Sequence, residues 1–263
     1  WFCSERHPTM HASNFVLEDY LNRIGYHGQR DASAATLAQL MRAQLFTVPF
    51  ENLDVQAGKI VSMTPEDIVQ KIVYQPRGGY CYEVNGLFAM ALQALGFSYT
   101  FLAARPMFYP VRRPKTHMVL CVRADGRDWL CDLGFGSYGI RAPLALDALD
   151  SDIAQDHDRF RLSRDAQGVY LLQAWVDGEW ANQYGFDLHP QEWIDFAPAN
   201  YLNSTHPEAI FVQKLLVVRH TPRGRHILLG ERLKTIEDGV SQLRELGAAE
   251  VAVVLREVFA LAA

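Results

Sequence analysis

The chain has 263 residues, of which 49% are hydrophobic and 21% charged, and its formal net charge is −5. That is enough apolar material to bury a large core, which excludes a disordered chain. No run reaches the roughly 18 apolar residues of a membrane-spanning helix, and the acidic balance argues against a nucleic-acid partner.

The chain does not open on methionine. Met10 reads as a native start, which makes residues 1–9 an extension or a tag and gives Cys3 and His7 little weight. The opening also lacks the basic-then-apolar order of a signal peptide, so a cytoplasmic protein is expected.

From residue 14 to residue 95 the apolar period is helical. Phe15, Tyr20, Leu21 and Ile24 make one stripe; Leu37, Leu40, Met41 and Leu45 make a second. Thr64-Pro65-Glu66-Asp67 predicts a helix start, with threonine as N-cap, proline in the first turn and two acids facing the helix dipole. A fourth helix is expected over 81–95, burying Val84, Leu87, Phe88, Ala91, Leu92 and Leu95, with Gly96 ending it.

Beyond residue 99 the pattern switches to strands, expected at 116–124, 127–133, 159–163, 169–176 and 180–187. Asp125-Gly126 and Asp177-Gly178 supply the residues that two-residue hairpin turns require. Successive antiparallel strands suggest a small barrel or curled sheet. Prolines at 106, 110 and 114 make 107–115 an irregular loop. The last third reads as an α/β cap, with a helix near 190–202, strands at 211–219 and 225–230, and helices from about 236 onward. His220 and His226 are expected to be exposed residues beside the turn between those two strands.

Arg77-Gly78-Gly79-Tyr80-Cys81-Tyr82-Glu83-Val84-Asn85 carries the strongest chemical signal. Two glycines permit a tight turn into the fourth helix, and Cys81 falls in its first turn. Unpaired N–H groups and the positive dipole end favour a thiolate there, and the same groups suit a developing oxyanion. An inert buried cysteine is the competing explanation. Arg77 and Glu83 are expected to pair and shape the turn.

The hairpin at 116–133 bears on this choice. If Asp125-Gly126 is a two-residue turn, Ala124 pairs with Arg127 and Val119 lies opposite Asp132. His117, Val119, Cys121 and Asp132 then share one face, with His117 and Asp132 roughly 7 Å apart as diagonal neighbours. A carboxylate so placed can fix an imidazole's tautomer while the other nitrogen faces a thiol. A one-residue shift in register would turn Asp132 to the opposite face.

The four cysteines (Cys3, Cys81, Cys121 and Cys131) are too few for a disulfide framework. Cys121 and Cys131 point to opposite faces in this register, which argues against a zinc site or a disulfide between them. No metal is expected.

Residues 77–85 resemble the RGGxCxExN signature of the arylamine N-acetyltransferases. Val48-Pro49-Phe50-Glu51-Asn52 is similar to that family's VPFEN segment, Thr116-His117-Met118 to its histidine strand, and Asp132-Leu133-Gly134-Phe135-Gly136 to its DVGFG motif, with leucine in place of valine. The resemblance implies an α+β protein in three parts: a helical domain over 1–96, an antiparallel β-barrel domain over 97–188 and an α/β lid domain over 189–263, around a Cys-His-Asp core like that of cysteine proteases. It implies that Cys81 accepts an acetyl group from acetyl-CoA, with His117 as base and Asp132 as its orienting acid. Small aromatic amines, hydrazines or N-hydroxyarylamines would then take the group in a ping-pong cycle.

Phe50, Phe135 and Tyr138 are candidates for gripping the aromatic ring, with core packing as the competing role. Gly134, Gly136 and Ser137 are candidates for approaching the coenzyme's pyrophosphate, helped by Arg112, Arg113 and Lys115. An intramolecular amide synthase of the same fold, and a transglutaminase- or papain-like hydrolase, would use the same three central residues.

Overall fold

The computed structural model describes residues 10–136 and 138–262. Residues 1–9, Ser137 and residue 263 lie outside the described residues.

Helices α1 (Leu17–Ile24) and α2 (Ala34–Thr47) bury the expected stripes, including Tyr20, Leu21 and Ile24 on the first and Leu37, Leu40, Met41 and Leu45 on the second. Gly25 ends α1 at φ +66, a left-handed conformation that glycine adopts without steric penalty. Strand β1 (Phe50–Glu51) and helix α3 (Leu53–Gln56) follow. Helix α4 (Pro65–Ile72) starts where predicted, although the Thr64 side chain makes no capping bond. Instead Glu66 accepts from the Ser13 backbone N–H and Asp67 accepts from the Ser62 hydroxyl.

Helix α5 (Cys81–Ala94) is the centre of the molecule, buried at every position from Cys81 to Leu92. A helix covered on all sides is expected to be largely apolar, and Val84, Leu87, Phe88, Met90 and Leu92 supply most of that surface. Each such side chain gains about 1.5–3 kcal/mol from burial. The Gln44 amide crosses this core with both its ends paired: it donates to the Val84 carbonyl at 2.8 Å and accepts from the Tyr20 hydroxyl at 2.7 Å.

Against α5 lies an eight-stranded antiparallel sheet made of β2 (Ser98–Pro106), β3 (His117–Ala124), β4 (Arg127–Cys131), β5 (Leu144–Ala145), β6 (Ile153–Gln155), β7 (Asp158–Arg164), β8 (Tyr170–Val176) and β9 (Glu179–Gln191). The spatial order is β5-β4-β3-β2-β9-β8-β7-β6. Its two edge strands do not pair among the described residues, so it is an open curled sheet rather than a closed barrel. Both expected hairpin turns form, with Asp125, Gly126, Asp177 and Gly178 all at positive φ. Ala124 pairs with Arg127 and Leu120 with Cys131, the register that the two-residue turn requires.

A short 3-10 turn at Trp193–Phe196 leads into α6 (Ala197–Thr205) and α7 (Ile210–Gln213). The remainder corrects the sequence reading. Strands β10 (Leu216–Thr221) and β11 (Gly224–Leu229) continue into β12 (Arg232–Glu237) and β13 (Val240–Glu245); helices were expected from about 236, and of that span α8 (Ala248–Glu257) is the helical part. Asp238-Gly239, both at positive φ, makes the β12–β13 turn just as the two earlier Asp-Gly pairs do. The five-stranded sheet runs β1-β10-β11-β12-β13, so its first edge strand comes from the helical part of the chain.

Candidate active site

The turn before Cys81 owes its glycines to close packing rather than to a left-handed backbone. A Cβ on Gly78 would stand 1.8 Å from the Pro49 carbonyl oxygen. The Gly79 N–H donates to that carbonyl, and the Gly79 carbonyl accepts from the Glu51 N–H. The segment 48–51 and the turn 78–79 therefore hold each other, and together they set where α5 begins.

Arg77 and Glu83 do not pair with one another, contrary to expectation. Arg77 binds Glu51 at 2.8 Å and Asp54 at 3.2 Å, while Glu83 binds Lys71 at 2.7 Å, and Lys71 in turn binds Asp54 at 2.6 Å. Glu83 also accepts from the Tyr80 N–H, closing the helix start. Burial pushes its carboxyl up to about 7 against the pull of Lys71. These charges brace the base of α5, and none of the five residues lines the cavity above Cys81.

Cys81, His117 and Asp132 converge from α5, from the start of β3 and from just beyond β4. All three are buried, at 3%, 5% and 1% exposure. His117 Nε2 lies 2.7 Å from Asp132 Oδ2. The Cys81 side chain lies close enough to the ring to favour its protonated form, and Nδ1 is the ring nitrogen that Asp132 leaves free. Burial drives the imidazole toward its neutral form, but the charge and hydrogen bond of Asp132, aided by Cys81, push its pKa up to about 10. Burial likewise opposes ionisation of Asp132. His117 and the donors Gly134 N–H and Asn85 Nδ2 nonetheless hold its carboxyl below the usual carboxylate range.

Asn85, quoted in the sequence motif without a role, is the residue that joins these elements. One helical turn after Cys81, its Nδ2 donates to the Met118 carbonyl at 2.8 Å and to Asp132 Oδ1 at 3.1 Å, and its Oδ1 accepts from the Leu133 N–H at 2.9 Å. An asparagine on a largely apolar helix, four residues after the cysteine, was the available signal. Tyr184 was also missed. Its ring packs 5.1 Å from that of His117 and 4.8 Å from that of Phe135, and nothing in its local sequence marks it.

A cavity of about 540 Å³ opens above Cys81 and His117. Phe50, Phe135 and Tyr138 all line it, together with Phe108, Leu202 and Phe211. Gly134 lines it too, and a Cβ there would stand 2.4 Å from the Cys81 Cα, so the backbone of Cys81 requires this glycine. Gly136, at φ +95, is not part of the lining, and its carbonyl accepts from His220 Nε2 at 3.1 Å. Ser137 lies outside the described residues. Arg112 is exposed and Lys115 is paired with Asp187, whereas Arg113 reaches the cavity wall.

His220 corrects a second expectation: it is 4% exposed, and His226 is half-buried. Arg141 Nη1 approaches His220 Nδ1 at 3.4 Å, and guanidinium only donates, so Nδ1 accepts and Nε2 carries the proton. Burial, then the charges of Arg225 and Arg141, keep this histidine neutral. Cys131, buried behind the sheet with Leu120 as its partner in register, has its thiol pushed up by burial and by Asp132. Among the described residues no group of three or more His, Cys, Asp or Glu side chains is placed to hold a metal ion.

The chain is similar to known proteins over most of its length. A family profile described as N-acetyltransferase matches residues 33–263. The arylamine N-acetyltransferase of Mycolicibacterium smegmatis is 35% identical over 244 residues, covering 89% of this chain and 88% of that one. Among solved structures, the Nocardia farcinica arylamine N-acetyltransferase superposes with a TM-score of 0.91 at 34% identity, covering 98% of this chain and 93% of the other. The Mycobacterium marinum arylamine N-acetyltransferase in complex with CoA gives 0.88 at 32% identity, covering 94% and 93%. Likeness of both sequence and backbone thus extends well beyond the motifs and over nearly the whole length: the chain belongs to the arylamine N-acetyltransferase family.

Proposed function

We propose that this protein transfers acetyl groups from acetyl-CoA to aromatic amines through a thioester on Cys81, with His117 moving the protons and Asp132 orienting His117. The observation that carries this reading is the His117 ring, held between Asp132 and the Cys81 thiol on the floor of an aromatic-lined cavity. An imidazole whose pKa lies near 10 retains its proton at neutral pH, which suits an imidazolium beside a thiolate.

The Cys81 thiolate attacks the thioester carbonyl of acetyl-CoA, the carbon–sulfur bond to the coenzyme breaks, and His117 gives its proton to the departing thiolate. An amine then attacks the acetyl-cysteine carbonyl. Cys81 leaves as a thiolate, and the now neutral His117 takes the proton from the amine nitrogen, which restores the starting state. Phe50, Phe135, Phe211 and Tyr138 offer ring faces and edges to a flat acceptor. Aromatic hydrazines and N-hydroxyarylamines have the same shape and are proposed as further acceptors. Gly134 and Gly136, with Ser137 between them and Tyr138, belong to the segment proposed to face the coenzyme.

The proposed division is a helical part over 1–96, a curled-sheet part over 97–188 and a lid over 189–263, with a cysteine-protease-like core where they meet. No helix among the described residues is long and apolar enough to cross a membrane, and a cytoplasmic location is proposed. The aromatic walls and the likeness to arylamine N-acetyltransferases favour acetyl transfer over peptide hydrolysis or amide synthesis.

Brief mixing with acetyl-CoA in the absence of amine, followed by mass spectrometry of the digested protein, tests the reading. One acetyl group is expected on the peptide containing Cys81, and none in Cys81→Ala, which should fold normally because alanine fits a buried helix start. Wild-type protein that never acquires the group would refute it.

A further inference from the structure

We infer that Arg113 is an anion handle in the cavity wall, through which the enzyme prefers aromatic amines bearing a ring carboxylate over their neutral counterparts. The inference rests on the acetyl-transfer reading and adds the class of acceptor. Three basic residues lie close together before β3, and they differ in what they face. Arg112 is exposed, Lys115 is neutralised by Asp187 at 2.6 Å, and Arg113 lines the cavity that contains Cys81.

Arg113 is held in place. Its carbonyl accepts from Arg105, and its guanidinium carbon sits 4.8 Å from the ring centroid of Tyr109, another wall residue. Its charge, however, is uncompensated. Among the described residues no carboxylate lies within 4.0 Å of the Arg113 guanidinium, and its buried Nε makes no hydrogen bond. A desolvated donor without an acceptor is unfavourable in the empty protein and becomes favourable when an anion arrives.

The other titratable groups of the lining do not satisfy it. Glu208 and His206 are exposed, and His117 is engaged with Asp132 and Cys81. The remaining wall is mostly apolar or aromatic, so a carboxylate entering on an aromatic ring meets one strong partner. The planar fork of guanidinium matches both carboxylate oxygens at once, a geometry that ammonium lacks. The phosphates of the coenzyme are the other anions that reach this enzyme, and the experiment separates the two sources.

The probes are 4-aminobenzoate and its methyl ester, which differ in charge while keeping the same ring and amine. Binding of each is measured by calorimetry, and kcat/KM for acetylation is measured for each, in the wild type, Arg113→Met and Arg113→Lys. The preference for acid over ester, read as a ratio, cancels any general damage to the fold. It is expected to fall by at least about tenfold in Arg113→Met and to recover in part in Arg113→Lys. A ratio that moves less than about twofold in Arg113→Met overturns the inference. So does a fall confined to the rate at which acetyl-CoA loads Cys81, because the anion would then be the coenzyme's. Failure of the wild type to acetylate either amine would refute the acetyl-transfer reading, while the binding ratio would still decide the role of Arg113.

Discussion

A buried imidazole is ordinarily neutral, because burial penalises its charge; His117 departs from this because a carboxylate stands 2.7 Å away and a thiol occupies its other side. The consequence for stability has a definite sign. An unfolded histidine titrates near ~6.5, and the folded one near 10. Below the unfolded value both states are protonated and the stabilisation is complete. Between the two values only the folded state holds the proton, so stability falls as pH rises, and the contribution is gone above the folded value. Wild-type melting temperature is therefore expected to drop between about pH 6.5 and pH 10 relative to His117→Gln; superimposable pH dependences would show that the ring is not held protonated. Asp132 has the opposite sign. Its lowered carboxyl stabilises the fold above the ordinary carboxylate range, and that support disappears in acid.

The element that decides the site is the β3–β4 hairpin, and one dipeptide decides the hairpin. Asp125 and Gly126 both adopt positive φ, the two-residue turn forms, and His117 and Asp132 meet on one face. Where β4 ends, Gly134 packs on the first residue of α5. Gly134→Ala is expected to cost about 1–3 kcal/mol by overpacking and to slow loading of Cys81 by roughly tenfold or more, because small displacements of a nucleophile are expensive. Urea unfolding and the rate of acetyl-enzyme formation measure the two effects, and wild-type behaviour in both would mean that the contact yields easily. The same dipeptide logic holds in the C-terminal third, where Asp238-Gly239 makes the β12–β13 turn although helices were expected from about 236. The reason is physical. Every residue of β13 is exposed, so Val240–Glu245 lacks the apolar alternation that identifies a strand. Contacts between distant segments were illegible for a different reason. Arg77 finds Glu51 and Asp54, and His220 finds Gly136 and Arg141, only after the sheets have come together. Local pattern reports period and turn chemistry but not which loop will cover which strand.

At the scale of the molecule, the two sheets are joined by buried charge as well as by apolar packing. Arg141, with no exposed surface, binds Asp156 at 2.7 Å and Asp158 at 3.5 Å on the eight-stranded side, and it donates to the Thr221 and Gly224 carbonyls on the five-stranded side. Arg141→Met keeps much of the bulk and removes every side-chain donor. It is expected to lower the unfolding free energy by about 3–5 kcal/mol, the usual result of stripping one partner from a buried ion pair; a loss below about 1 kcal/mol in urea titration would show that Arg42, which also binds Asp156 at 3.0 Å, and Arg225, which also binds Asp158, suffice for the two aspartates. The second junction is smaller and closer to the chemistry. Strand β1 is only two residues long, yet Phe50 pairs with Val218 on one side and bridges Gly79 on the other. The C-terminal sheet is thereby riveted to the loop that delivers the sulfur, so this third of the chain is no detachable cover. Peeling it away would disturb the turn that seats Cys81 in the same motion, so cover and cysteine are expected to shift together or not at all.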